Sequence, residues 1–267
     1  MGKSLATSLD FLVLTFALWG LIPGVAQAAD VLWPDALAPL GTGPYCAFCL
    51  DLGGMNGWVA PFEAVEEKRA FVGINARYAP AEAVEVRLRL EGLGARWPDG
   101  TGSLGPGDLR LGTSARILPA LGARPALWLD WEVKLPNAST ALGLGTDETD
   151  VAAMALVRWG GPEGTITAGA GLVILGDPQR YSAQDDAALM HLSASRPLGP
   201  TRVLARAGGR LPSPRNPADL SLGLGVEGAR GAARLGLELS AGLTPAAADV
   251  GARLWIGART PCGATVP

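Results

Sequence analysis

The chain is short of what a water-soluble core of its size is usually built from. Aromatic residues make up only 6% of its 267 positions and charged residues only 18%, against roughly a quarter charged in an average soluble domain. Glycine is abundant at 37, and alanine recurs in short runs between leucines and valines. Such a mixture suits a thin wall with two faces rather than a thick core. Strong basicity is also missing. A net charge of −3 and a pI near 5.3 exclude a general nucleic-acid binder, which carries a basic excess. Beyond residue 28 no apolar run reaches 18 residues, which excludes a membrane-spanning helix in that part of the chain. The glycine run Gly143–Asp147 (GLGTD) lacks the following GK[ST] and helix of a phosphate-binding loop.

The first 28 residues read as a secretory signal. Lys3 supplies the positive start, Phe11–Ile22 (FLVLTFALWGLI) the apolar stretch, Pro23–Gly24 the break and Ala26–Gln27–Ala28 the cleavage site. The apolar stretch is too short to cross a bilayer as a helix. The expected organisation is a signal at 1–28, a periplasmic segment at 29–44, a barrel at 45–258 and a periplasmic tail at 259–267.

From residue 69 onward, segments of nine to twelve residues alternate apolar with polar or small side chains. Strict alternation marks a strand, whose successive side chains point to opposite faces. Ala126–Pro136 (ALWLDWEVKLP) sets Leu127, Leu129, Trp131, Val133 and Leu135 against Trp128, Asp130, Glu132 and Lys134. Val84–Glu91 sets Val84, Val86, Leu88 and Leu90 against Glu85, Arg87, Arg89 and Glu91. Eleven such segments can be read up to residue 258. Those at 150–159 and 165–175 are weaker, because both faces are apolar or small. The connections alternate between short, near 79–83, 118–125, 160–164, 197–201 and 228–231, and long. Outer-membrane barrels have short periplasmic turns and long outer loops. With the short set in the periplasm, the first of the eleven segments runs inward. A further strand is then needed to carry the chain out, and Tyr45–Trp58 is the candidate. The expected fold is all-β, a closed antiparallel transmembrane barrel of about twelve strands. Bilayers admit only helices and closed barrels, and a soluble sandwich or lipocalin-like barrel would carry its apolar face inward. Trp97, Trp128, Trp159, Trp255 and Tyr78 are expected at the membrane–water boundary, where aromatics collect.

In this scheme the charged face lines a lumen. Its expected members are Arg77, Glu85, Arg87, Arg89 and Glu91, then Arg110, Arg116, Asp130, Glu132 and Lys134. Arg158, His191, Arg202, Arg206, Arg210, Glu227, Arg234, Glu238 and Arg253 complete the set. Two readings stand side by side. The basic excess favours passage of anions, or cross-strand pairs fill a narrow barrel. His191 and Ser193 are two apart and so share a face. They could act as base and nucleophile, as in outer-membrane lipid A deacylases, which pair His and Ser two apart, but no carboxylate in the next segment completes a triad. Loop acids such as Asp147, Glu148, Asp150, Asp177, Asp185 and Asp186 read as solvated caps, with cation or lipopolysaccharide binding as the alternative. Of the three cysteines, Cys262 is expected to bond Cys46 or Cys49 at the periplasmic rim. A local Cys46–Cys49 bridge or free thiols are the alternatives. No catalytic residue, cofactor or metal is expected.

Gly107–Arg116 (GDLRLGTSAR), Glu132–Pro136 (EVKLP) and Gly143–Asp150 (GLGTDETD) resemble the outer-membrane barrels of the phenol-degradation meta-pathway type. Leu175–Gln184 (LGDPQRYSAQ) and Ala248–Arg253 (ADVGAR) are similar to a related outer-membrane family of unknown function. The resemblance spans about residues 70–258. It implies a transporter-like barrel, in some relatives linked to uptake of hydrophobic or aromatic compounds, and no catalytic residues. The expected function is a passive outer-membrane channel for small hydrophobic or aromatic molecules. The alternatives are a sealed structural or lipid-organising barrel and a lipid-modifying enzyme. The expected partners are outer-membrane lipid and lipopolysaccharide, the barrel-assembly machinery, periplasmic chaperones and a small hydrophobic solute, with no nucleic acid.

Overall fold

The computed structural model describes residues 45–58, 66–96, 103–142, 144, 148–175, 185–213, 217–247 and 250–261. The signal and periplasmic segments expected at 1–44, Trp97 and the tail with Cys262 lie outside the described residues.

The strands are β1 (Tyr45–Trp58), β2 (Glu66–Ala81), β3 (Val84–Arg96), the three-residue β4 (Ser103–Gly105), β5 (Leu109–Leu118), β6 (Ala126–Leu135) and β7 (Asp150–Gly161). They continue with β8 (Gly164–Leu175), β9 (Asp185–Leu198), β10 (Thr201–Arg210), β11 (Asp219–Arg230), β12 (Ala233–Gly242) and β13 (Val250–Pro261). One 3-10 turn, Thr140–Leu142, sits in the loop before β7. Each long strand pairs antiparallel with its chain neighbours, and β1 pairs with β13, so the sheet closes. β4 and β5 both lie along β3 and act as one interrupted strand. The interruption holds Pro106, which cannot donate to the ladder. Counting β4 with β5 leaves twelve staves.

The expected strand Tyr45–Trp58 forms, and its pairing with both β2 and β13 seals the barrel. β13 runs to Pro261, three residues beyond the expected end of the barrel. Tight turns join β2–β3, β7–β8, β9–β10 and β11–β12, and a somewhat longer one joins β5–β6. All lie at one end of the barrel.

Alternation sets the two faces. Leu88, Leu111, Trp131, Leu172, Leu192, Leu224, Leu237 and Ile256 all point outward and are exposed. Among the described side chains, none that is charged interrupts this belt at mid-strand. A twelve-residue strand such as β7, at about 3.3 Å per residue and a tilt near 40°, rises about 30 Å. That is the depth of a bilayer's hydrocarbon core. Water would penalise so continuous an apolar surface, whereas lipid stabilises it.

Candidate functional site: the inner wall of the barrel

The expected lumen residues with described side chains all fall on the inward face and are buried or half-buried. The side chain of Glu91 lies outside the described set. The inner wall has two parts with different chemistry.

Across β3, β5 and β6 it is ionic. Arg87 donates from Nη1 to Ser114 Oγ at 2.6 Å and from Nη2 to Asp130 Oδ1 at 2.7 Å. Ser114 donates to the same Asp130 oxygen. These contacts follow from register: Ser114 stands opposite both Glu85 and Asp130, and Arg87 opposite Gly112. A glycine there leaves the guanidinium room to reach across β5 to β6. Glu85 lies 3.7 Å from both Arg77 and Arg87. Higher up, Arg110 donates to Glu132 at 3.1 Å. Lys134 Nζ meets Asp150 at 2.5 Å and Asp108 at 4.0 Å. Asp108 also accepts the backbone N–H groups of Asn137 and Ala138 at 3.1 and 2.9 Å, tying the loop to the wall. On the far side Arg206 donates to Glu238, Arg202 to Ser195 at 3.0 Å and Arg158 to Thr167 at 3.4 Å. Arg116 lies at the rim, 3.6 Å from the exposed Glu82. Carboxylates opposite arginines at this spacing satisfy what burial would otherwise leave uncompensated.

Across β6–β9 part of the inner wall is apolar, beside the polar His191, Ser193 and Thr167. Trp128, Ala152, Met154, Leu156, Val173, Ala187 and Leu189 form one cluster, with Leu175 packed on it. This explains why β7 and β8 read weakly in sequence: lipid covers one apolar face and this cluster occupies the other. Trp128 and Trp255 correct the expectation of interfacial placement. Both are inside, 3% and 4% exposed. The guanidinium carbons of Arg116 and Arg158 stand 5.7 and 5.5 Å from the Trp128 ring. Arg253 covers Trp255 at 5.5 Å, and Trp255 Nε1 donates to Glu227 at 3.4 Å. Such stacking holds an arginine against a ring face. Tyr78 and Trp159 do face outward, near the end with the short turns.

His191 and Ser193 are hydrogen-bonded at 3.0 Å and buried. They face the interior beside Arg206, which stands opposite Ser193, and so point away from the lipid that a lipid-modifying pair must reach. Among the described residues, no group of three or more His, Cys, Asp or Glu side chains is placed to hold a metal.

Sequence reasoning missed Asp108 and Asp219 as buried inner-wall acids and read Asp150 as a loop acid. Each stands at a strand end or one residue before it, where alternation gives the least guidance. Cys46 is disulfide-bonded. The side chain of Cys49 and the whole of Cys262, the expected alternatives for its partner, lie outside the described set.

No family model matches the chain, and no curated protein sequence matches it. Its fold is similar to the crystal structure of an outer membrane channel from Pseudomonas putida F1. The TM-score is 0.66 at 13% identity, over 86% of this chain and all of that one. It is also similar to the translocator domain of the autotransporter NalP from Neisseria meningitidis, with a TM-score of 0.55 at 15% identity over 96% and 98% of the two chains. At these identities the likeness is one of fold: the chain has the closed barrel architecture of outer-membrane proteins.

Proposed function

We propose that the chain is a bacterial outer-membrane channel that passively admits small hydrophobic or aromatic molecules. The observation that carries this reading is the apolar inner wall of Met154, Leu156, Val173 and Leu189. A barrel that only had to pass water and salt gains nothing from it, whereas an apolar solute would be desolvated against it. The fold it shares with a protein named as an outer membrane channel agrees with the reading. In this account the chain is exported through a cleaved signal at 1–28 and inserted by the assembly machinery and periplasmic chaperones. Lipid and lipopolysaccharide surround its belt. It is no enzyme, and His191 and Ser193 shape the wall: replacing His191 by alanine is expected to leave lipid A unchanged.

The test is flux into liposomes reconstituted with the mature chain. Entry of a small aromatic solute should exceed that into empty liposomes, and Leu189→Asp should reduce it. Equal entry with and without protein would overturn the proposal. It would favour the sealed structural or lipid-organising barrel, the reading supported by acids such as Asp130, Glu85 and Glu238 being almost wholly buried in ion pairs.

A further inference from the structure

In the pairs of Arg77, Arg87 and Arg206 the guanidinium is the more exposed partner, whereas in Arg110–Glu132 and Lys134–Asp150 the acid is. The side chains of Arg77, Arg87 and Arg206 retain 12, 14 and 16% exposure, while their partners Glu85, Asp130 and Glu238 retain 4, 0 and 3%. In these three pairs the carboxylates lie beneath and the guanidinium groups lie above them. A guanidinium with five N–H donors can hold a buried carboxylate on one edge and meet a solute on another.

Strand order places these groups with respect to one another. In a ring of twelve staves β10 stands opposite β3, so Arg206 faces Arg87 and Arg89. β13 stands opposite β7, so Arg253 faces Met154 and Leu156. β2 stands opposite β9, the strand that carries Leu189, His191 and Ser193. Arg77 lies within electrostatic reach of Glu85, Arg87, Arg253 and Asp130, and Arg206 within reach of Glu238, Arg253 and Arg89. These five arginines share the lumen with the covered acids Glu85, Asp130 and Glu238 and with Glu132 and Glu227, and over the whole described inner wall arginine and lysine outnumber the acids. A section with a net positive lining and low-dielectric walls concentrates anions. The same section has an apolar wall across from the arginines, which suits an organic body better than a bare halide.

We infer that the barrel selects anions and that its preferred solutes are small organic carboxylates with an aromatic or aliphatic body. The Arg77, Arg87, Arg89, Arg206 and Arg253 layer receives the carboxylate, and the β7–β9 wall receives the body. This rests on the channel reading above and names the class of solute for the same lumen.

The experiment is ion selectivity of the full mature chain in planar bilayers. In a KCl gradient the reversal potential should report chloride permeating about tenfold better than potassium. With sodium benzoate on one side and benzylammonium chloride on the other, benzoate should carry more current than benzylammonium. The double variant Arg77→Gln/Arg253→Gln should cut the chloride preference at least about threefold, and Arg77→Lys/Arg253→Lys should keep its sign. Heat-dependent gel mobility reports whether each variant forms a barrel. Conductance with potassium preferred, or with no preference, overturns the inference and leaves the channel reading standing. A folded protein silent in every salt overturns the channel reading and this inference with it. Both outcomes are read from the wild-type chain, so a variant that fails to assemble does not protect the idea.

Discussion

Across β7, β8 and β9 the interior is Met154, Leu156, Val173 and Leu189 packed on one another, whereas across β3, β5 and β6 it is Arg87, Ser114 and Asp130 joined by hydrogen bonds. The two walls face the same lumen and are buried to a similar depth, yet they are held by different physics. In the apolar wall each side chain adds its own increment of burial and contact, and losing one costs that increment plus the void it leaves. In the ionic wall the members depend on one another. The pair gains little over an apolar pair of the same shape, but one member alone is a desolvated charge. The pairings from β7 to β13 run without a register shift. The ionic side carries shifts at 72/73, 78/81 and 116/118 and the break at Pro106. Irregular register accompanies the wall whose side chains must reach particular partners.

The largest effect is expected at Asp130, which has no exposure. Asp130→Ala leaves Arg87 buried without its closest acid and should destabilise the barrel by about 3–5 kcal/mol. It is read as a lowered urea midpoint in lipid vesicles. Replacing both, as Arg87→Met/Asp130→Leu, should restore much of that loss, because two apolar groups need no partner. A double variant as unstable as the single one would show that the ionic wall supplies more than mutual neutralisation.

Leu156→Ala tests the opposite wall. Leu156 is among the largest fully buried side chains, and truncation should cost about 2–4 kcal/mol. Here no second substitution of a polar partner should compensate. A loss larger than that at Asp130 in the same unfolding assay would invert the ranking of the two walls.

Much of this division was beyond the reach of sequence. Alternation reveals which face a residue occupies, so the outward belt and the inward position of Arg87, Asp130 and Glu238 were legible. The parity of short and long connections made Tyr45–Trp58 a strand despite its poor local pattern. Which inward residue touches which depends on strand offset. Arg87 and Asp130 are 43 positions apart and meet only because Ser114 falls opposite both Glu85 and Asp130. Trp128 was placed on the correct face of β6 but assigned to the membrane boundary, because its position near a strand end outweighed its inward phase. The apolar wall was visible only as a failure of alternation in β7 and β8. Adjacent strands failing in the same way was the usable signal.

Gly236 joins the two kinds of packing at the seam. A Cβ built there would lie 2.0 Å from the Trp255 ring, so the indole rests on bare backbone. Gly236→Ala should push the ring away from Arg253 and Glu227, costing about 1–3 kcal/mol and changing the near-ultraviolet circular dichroism of the folded barrel. β10 shows the other use of glycine: Gly208 and Gly209 have φ of 151° and 146°, a conformation other residues rarely adopt. An unchanged tryptophan signal in Gly236→Ala would mean that the ring packs elsewhere.

The smallest effect is expected where an ion pair leaves the wall for the rim. Arg116 and Glu82 stand 3.6 Å apart with side chains 29 and 49% exposed, so water screens their attraction and ordering two long side chains offsets most of it. Glu82→Ala should shift the unfolding free energy by about 1 kcal/mol or less, and the shift should shrink further in high salt. Arg116 keeps its place because it also lies over the Trp128 ring, a contact that Glu82 does not supply. A loss at Glu82 approaching that at Asp130 would mean that the rim is as dry as the interior. The contrast between paired charges inside and solvated charges at the edge would then fail.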